Sequence, residues 1–570
     1  MVVHCANIQF FRAKSLMMDS RRTKSPILQF PSLAVARARE RVPNLRPYLA
    51  SLLLVGAWVV VCVVLGFIVG IAAVILPPTG AFGVVAAVGA ALLWVMPDFP
   101  IAPLNKARAL FVAMLIVLLI VPNYYALDIQ SLPWISIRRL AIFPLIVLFG
   151  LSAAMSSAIR RDVFSAISTN RLLSLGLIGF LVMIVLSFFS SINLTQSLSQ
   201  FTDAVLTWLV PWLVTLYVIR SDADVQKTVK IIAICAAVVC LLAIVERVLN
   251  RRLAVEALPG PLLDRLMADS PSIERMVTAD PYRDGVFRAL SVFGTPLSLG
   301  EFAAIASPFG FYYAVYANTF FHRLSGLGLV FLCLGAIVAA YARGGNMAFA
   351  AAFGSFAALW YFRTRRFDRR SIGAAIVAVI AVIFFASSLV AVMTWTRAHN
   401  AVFGGGEASF STEGRFFQWE AAKPHIVSNP LTGHGFANGA DILGGGTPQG
   451  GLTIDSYALS LLVETGVPGL IFFMLMLFSG IAYSAKRFLT DPSDAGALNG
   501  ALAASLVAYT VNRLVLSQRE NHTLVFLILG LIMISHELYL RGILVKPAPA
   551  REKAAMVPVA VRVAELRPQH

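Results

Sequence analysis

Residues 53–76 form an unbroken apolar run, from Leu53 to Leu76, with no charge and no alternation of polar and apolar positions. A stretch that apolar on every face crosses a hydrocarbon core of about 30 Å as a helix rising about 1.5 Å per residue. Strands of a membrane barrel would instead alternate over about ten positions. Similar runs recur along the chain, and they dominate its composition: 58% of the 570 residues are hydrophobic and 13% charged, with a mean hydropathy of +0.79. Water-soluble classes are therefore excluded, and the expected fold is an all-α polytopic membrane protein.

Requiring about 20 residues per span gives about fourteen transmembrane helices. They centre on residues 53–76, 81–97, 108–126, 140–159, 172–191, 201–219, 228–247, 296–320, 324–342, 345–362, 372–395, 456–485, 496–516 and 522–540. This count passes an independent test, because cytoplasmic loops carry the excess of Lys and Arg. Lys106 with Arg108, Arg160 with Arg161 and Arg171, Arg220 with Lys227 and Lys230, the cluster at 363–370, Lys486-Arg487 and the tail from Arg541 all fall on one side. The N-terminal tail, residues 1–47, joins them with nine Lys or Arg against Asp19 and Glu40.

The resulting organisation is a basic cytoplasmic tail (1–47), N-terminal membrane helices (48–247), an outward loop (248–295), more membrane helices (296–395), a large outward loop (396–455), C-terminal membrane helices (456–540) and a cytoplasmic tail (541–570). A net charge of +17 would point to nucleic acid in a soluble chain, but beside apolar spans it fits anionic lipid headgroups, so no nucleic-acid partner is expected. Cys62, Cys235, Cys240 and Cys333 lie inside spans and Cys5 in the tail, with no CxxC pattern.

Function is expected in the polar segment from Thr396 to Asp455, which simple anchoring would not require. Four arginines on the outward side depart from the sidedness rule: Arg288, Arg343 beside Gly344-Gly345, Arg415, and Arg513 near the outer end of its span. A guanidinium fork binds phosphate oxygens bidentately and keeps its charge, so such residues at the interface suit a lipid diphosphate. Each alone serves equally as a headgroup anchor or a carboxylate partner.

Asp455 ends the polar loop at the membrane edge, where it is either a general base or the N-cap of the helix that follows. Glu464 reads as a hydrogen-bond acceptor at the kink Gly466-Val467-Pro468-Gly469. His425 and His434 lack further ligands at metal spacing, so no metal site is expected. Trp419, Phe416 and Phe417 suit the interface or a sugar ring.

These pieces occur in an order: Arg288 with Phe293-Gly294-Thr295-Pro296, Ala342-Arg343-Gly344, Glu413-Gly414-Arg415, Trp419, Asn429-Pro430, Gly433-His434-Gly435, Asp455-Ser456-Tyr457, and Glu464 to Gly469. Over residues 288–484 this order resembles the superfamily of O-antigen ligases and Wzy-type polysaccharide polymerases. The resemblance implies a GT-C-like helical fold with a large periplasmic loop in the bacterial inner membrane, both termini cytoplasmic. It also implies a donor glycan linked to undecaprenyl diphosphate, a glycan acceptor, membrane lipids and other polysaccharide assembly proteins as partners, and no cofactor or metal.

By motif context Arg343 and Arg415, with Arg288, hold the diphosphate. Trp419, Glu464 and Arg513 give support. Ligases of this family commonly carry His-Asn or His-Ser where this chain has Asp455-Ser456, so the base is either Asp455 or a loop histidine, His434 foremost. That departure tilts the expectation toward polymerising an exopolysaccharide or related surface glycan rather than ligating finished glycan to lipid A core. A polysaccharide transporter or flippase is the reading from another class. Charged or helix-breaking midplane features and inverted repeats would mark one, whereas the unusual charges here gather at the outer edge.

Overall fold

The computed structural model describes residues 104–127, 135–269, 271–283, 285–367, 407–443 and 454–545, all within the compact unit Ala90–His570. The expected spans at 53–76, 81–97 and 372–395, both tails at 1–47 and 546–570, and the glycine run 444–446 lie outside the described residues. Elsewhere the chain is helical apart from two short antiparallel hairpins, β1 (Ala126–Leu127) with β2 (Ile135–Ser136) and β3 (Tyr282–Arg283) with β4 (Val286–Phe287).

Helices follow the apolar runs, with the polar α3 and α5 between them: α1 (Leu104–Ile120), α2 (Ile137–Met155), α3 (Ser157–Thr169), α4 (Arg171–Leu186), α5 (Leu194–Ala204), α6 (Val210–Val218) and α7 (Asp222–Leu249). Short helices α8 (Leu253–Glu256), α9 (Gly260–Asp269) and α10 (Pro271–Thr278) occupy the loop that the sequence places outward. Then come α11 (Pro296–Tyr316), α12 (Phe320–Ala340), α13 (Arg343–Phe367), α14 (Glu407–Ser428), α15 (Gly439–Leu443), α16 (Tyr457–Thr490), α17 (Asp494–Arg513) and α18 (His522–Val545).

Caps explain many of these boundaries. Ser221, Thr295, Thr319, Ser456 and Ser493 each accept a hydrogen bond from a backbone N–H in the first turn of their helix. Asp222 and Asp224 add negative charge to the start of α7, where the helix dipole favours it. Asn250 and Tyr341 close α7 and α12 in the left-handed conformation.

Seven helical segments among the described residues are long and apolar enough to cross a membrane, which makes this a multi-pass, mostly helical membrane protein. The Ala- and Gly-rich α11, α13 and α17, expected as spans, are not among the seven. Their small side chains permit close backbone packing instead. At Gly326 of α12 an added Cβ would lie 2.4 Å from the backbone of Ala314 in α11, the close approach that small residues allow between membrane helices. Within the seven, α18 is the most enclosed, with 78% of its window buried against 17% for α2. So α18 is central and α2 peripheral.

Polar cross-links segregate into two ends of the bundle. At one end Arg487 pairs with Asp222 at 3.0 Å, Arg220 with Asp162 at 2.9 Å and Arg108 with Asp224 at 3.2 Å. At the other, Tyr125 bonds the carbonyl of Ala254, Gly294 N–H bonds Glu520, Ser517 bonds the carbonyl of Ile454, and Ile192 N–H bonds the carbonyl of His434. The segments grouped outward by charge sidedness thus share one end of the fold.

Two expectations are corrected. The polar stretch 396–455 is not a plain glycine-broken loop: α14 runs through it, packing Ala422 against Leu443, Ile454, Leu459 and Val463 while Lys423 pairs with Glu420 at 2.6 Å. The stretch 192–200, left between the expected spans 172–191 and 201–219, is not a loop but mostly α5, which continues through a π-helical turn at Val205–Leu209 into α6.

Candidate active site at the head of α16

The centre of this end is a break in α16. Gly466 has φ 72° and ψ −176°, dihedrals that glycine alone adopts readily. Two residues on, Pro468 has no N–H to give to Glu464. With Val467 N–H drawn away to the carbonyl of Pro430 at 2.8 Å, the carbonyls of Val463 and Glu464 lose their helical donors. The loop supplies replacements: His434 N–H bonds Val463 at 2.8 Å and Gly435 N–H bonds Glu464 at 3.1 Å. Gly433 is in the left-handed region, and a Cβ there would lie 2.4 Å from the Glu464 backbone. Gly433-His434-Gly435 and Glu464-to-Gly469 are therefore two halves of one backbone interlock.

Side chains complete the region. Glu464, almost fully buried, accepts from Ser460 at 2.6 Å and from Arg519 at 2.6 Å. The Arg519 guanidinium also lies 4.3 Å from the ring centroid of Phe436, a cation–π contact. Glu464 is thus an acceptor at the kink, as its position suggested, and its donor is an arginine of the 514–521 turn. Half-buried Asp455 sits at the head of α16, its N–H bonded to Gln418 of α14 at 3.0 Å. The N-cap itself is Ser456, whose hydroxyl accepts from Leu459 N–H, so the capping alternative for Asp455 is corrected. Asp455 is left beside the positive end of a helix, a setting that favours anions.

His434 lies deeper. Its backbone meets Val463, eight residues past Asp455, about 12 Å along a helix. Its Nε2 is 2.9 Å from the carbonyl of His425, so Nε2 carries the proton, while Nδ1 faces the Asn429 amide at 3.4 Å. Trp419, with Phe416 and Phe417, is exposed on α14. Arg415 belongs to that helix, and its side chain lies outside the described residues.

The remaining arginines separate into two groups. Arg513 is fully buried and paired with Glu301 of α11. Arg288 donates to the carbonyl of Ala340 at 3.2 Å, and Ala289 N–H bonds the Ala339 carbonyl at 3.0 Å. Arg343 opens α13 three residues after Ala340, so Arg288 and Arg343 come to the same end of α12. Nearby, burial pushes the Glu520 carboxyl above the usual carboxylate range, opposed by Arg138 and by hydrogen bonds from Ser298, Gly294 and Asn123. Among the described residues no three His, Cys, Asp or Glu side chains cluster as a metal site.

Residues 328–474 match the O-antigen ligase family, Wzy_C. The matched stretch contains Arg343, Arg415, His434 and the Gly466 interlock, and it bears out the resemblance drawn from the motif order. The family's members are glycosyltransferase-like membrane enzymes, ligases and polymerases, acting on lipid-linked polysaccharides and glycan acceptors. No curated protein matches the chain.

Arg519 and Arg247 were not singled out from sequence. Both lie on the side that the distribution of Lys and Arg marks as outward, so the sidedness rule that flagged Arg513 could have found them. What hid Arg519 was its place in the short turn 514–521 between two helices, with its carboxylate partner 55 positions away.

Proposed function

We propose that this O-antigen ligase-like protein is a membrane glycosyltransferase of the bacterial inner membrane, moving a glycan from an undecaprenyl-diphosphate donor to a sugar hydroxyl in the periplasm. In this reading about fourteen helices cross the membrane, both termini are cytoplasmic, and the α14-bearing loop faces the periplasm. The domain limits follow the expectation from sequence, with 248–295 and 396–455 as the two periplasmic segments. One observation supports the reading: the family match at 328–474 spans Arg343, Arg415, His434 and Asp455, while Arg288 lies outside it.

The acceptor hydroxyl attacks the anomeric carbon, the bond from that carbon to the diphosphate oxygen breaks, and undecaprenyl diphosphate leaves. Arg343 and Arg415, with Arg288, neutralise the charge that develops on the leaving group. Asp455 takes the hydroxyl proton at the head of α16, with His434 as the other candidate base. Trp419, Glu464 and Arg513 support the site, Glu464 by holding Arg519 in place. The product is a growing surface polysaccharide.

Arg343→Ala and Arg415→Ala should each cut transfer by about 10²–10³, the loss of one electrostatic donor, with the protein inserted at normal amount. Full polymer synthesis by both variants removes the mechanism. Reporter fusions within residues 404–451 that report the cytosol would also overturn it. The match to an O-antigen ligase family favours ligation of finished glycan as the second reading. A deletion strain separates them, since single lipid-linked repeats accumulate without a polymerase and long unattached polymer without a ligase.

A further inference from the structure

A groove of about 390 Å³ runs between α7 and α12, lined by Ile244, Val248, Phe331, Leu334 and Val338, with Arg247 on its wall. Phe331 and Val338 are exposed at 68% and 61%, so the groove opens sideways, toward lipid in a membrane. From Phe331 to Ala339 it follows α12 for about 12 Å. Its other cationic features gather at one end. Arg247 donates to the carbonyl of Phe287, and the next residue, Arg288, donates to the carbonyl of Ala340 at the end of α12. Arg343 begins α13 just beyond. Fixed guanidinium groups at the mouth of an apolar channel complement a ligand with an anionic head and a long hydrocarbon tail.

We infer that this groove seats the polyprenyl chain of the diphosphate donor, with Arg247 as a further contact for its phosphates. The inference rests on the function proposed above and extends it to the donor's tail, which the motif residues do not touch. A polyprenyl diphosphate fits better than a two-chain phospholipid because the channel is a single slot between two helices. The α7 and α12 walls then fix the donor's approach, delivering the diphosphate to Arg288 and Arg343 from the bilayer side.

The test uses the full chain in nanodiscs and undecaprenyl diphosphate bearing a diazirine in its chain. After irradiation, labelled peptides should map to 244–248 and 331–339, and unlabelled undecaprenyl diphosphate, but not an excess of phosphatidylglycerol, should suppress the label. Arg247→Glu should lower labelling about tenfold, the loss of one charge-assisted contact, and Val338→Trp, a change on an exposed face, should lower it by filling the slot. Labelling spread equally over other exposed apolar positions such as Leu175, Ile178 and Val182 of α4 would overturn the inference. Equal displacement by phosphatidylglycerol would do so too, assigning the groove to bulk lipid. Glycan transfer by the same preparation is scored separately: transfer without groove labelling sinks the groove alone, and groove labelling without transfer sinks the proposed reaction alone.

Discussion

The buried pair Glu301–Arg513 offers the sharpest test of how outward arginines are used in this fold. Neither side chain exceeds 1% exposure. Arg513 also donates to the carbonyl of Gln518 and lies 4.9 Å from the Tyr509 ring centroid and 5.5 Å from that of Tyr457. The second oxygen of Glu301 accepts from Asn521 at 2.8 Å. Glu301→Leu would therefore leave a guanidinium sealed among aromatic rings without its counter-charge, at a cost of about 3–5 kcal/mol. Arg513→Met should cost a similar amount, because the carboxylate then keeps only Asn521.

Removing both charges is different in kind. In Glu301→Leu/Arg513→Met no buried ion is left uncompensated, and replacing such a pair with apolar groups is often neutral. The double variant should recover most of the loss and cost less than either single, so that the coupling exceeds about 3 kcal/mol. Thermal unfolding in detergent, followed by size-exclusion of the surviving monodisperse fraction, would rank the four proteins. Single variants as stable as the parent, or a double variant that loses the sum of both, would refute the account of Arg513 as a packed structural ion.

The interlock at α16 predicts that Gly466→Ala destabilises the protein by roughly 1–3 kcal/mol, since its Cβ would meet the Pro430 carbonyl at 2.6 Å, and the same thermal assay would show it. Ser456→Ala should cost about 1 kcal/mol of stability through the lost cap, whereas Asp455→Asn should lower glycan transfer in vitro and leave the unfolding temperature near the parent's. Glu464→Gln keeps one carbonyl oxygen to accept from Arg519, and its amide NH2 can donate to the Ser460 hydroxyl, so it should be milder than Arg519→Ala, which strands a carboxylate only 3% exposed; equal losses in unfolding temperature would count against this.

Much of the helical frame was legible because a span is announced by a run of apolar residues, and those runs from 108 to 540 became helices wherever the chain is described. The helix α14 was not, since its surface is polar and only a small cluster around Ala422 fixes it on α16. The family motifs were legible as an order of residues but not as a mechanism of assembly. Gly433-His434-Gly435 and Glu464-to-Gly469 meet through backbone groups, and those groups became available because Gly466 and Pro468 interrupt the ladder. A pattern of side-chain types carries no trace of such pairing.

The arginines show where sidedness stops being informative. The rule marks a guanidinium as unexpected on the outward side and is silent on whether protein or ligand neutralises it. Burial and partner chemistry make that distinction. Arg513 is fully enclosed with a carboxylate and is consumed by the fold, while Arg519, 20% exposed, keeps one side toward the head of α16 even as Glu464 holds it. Arg247 bonds to a neutral carbonyl, which orients a guanidinium without cancelling its charge. A cation oriented by carbonyls still attracts a phosphate, and one matched to a buried carboxylate does so far less. By that criterion Arg247, on the wall of the proposed groove, is a better phosphate contact in the proposed reading than Arg513 at the buried end of α17.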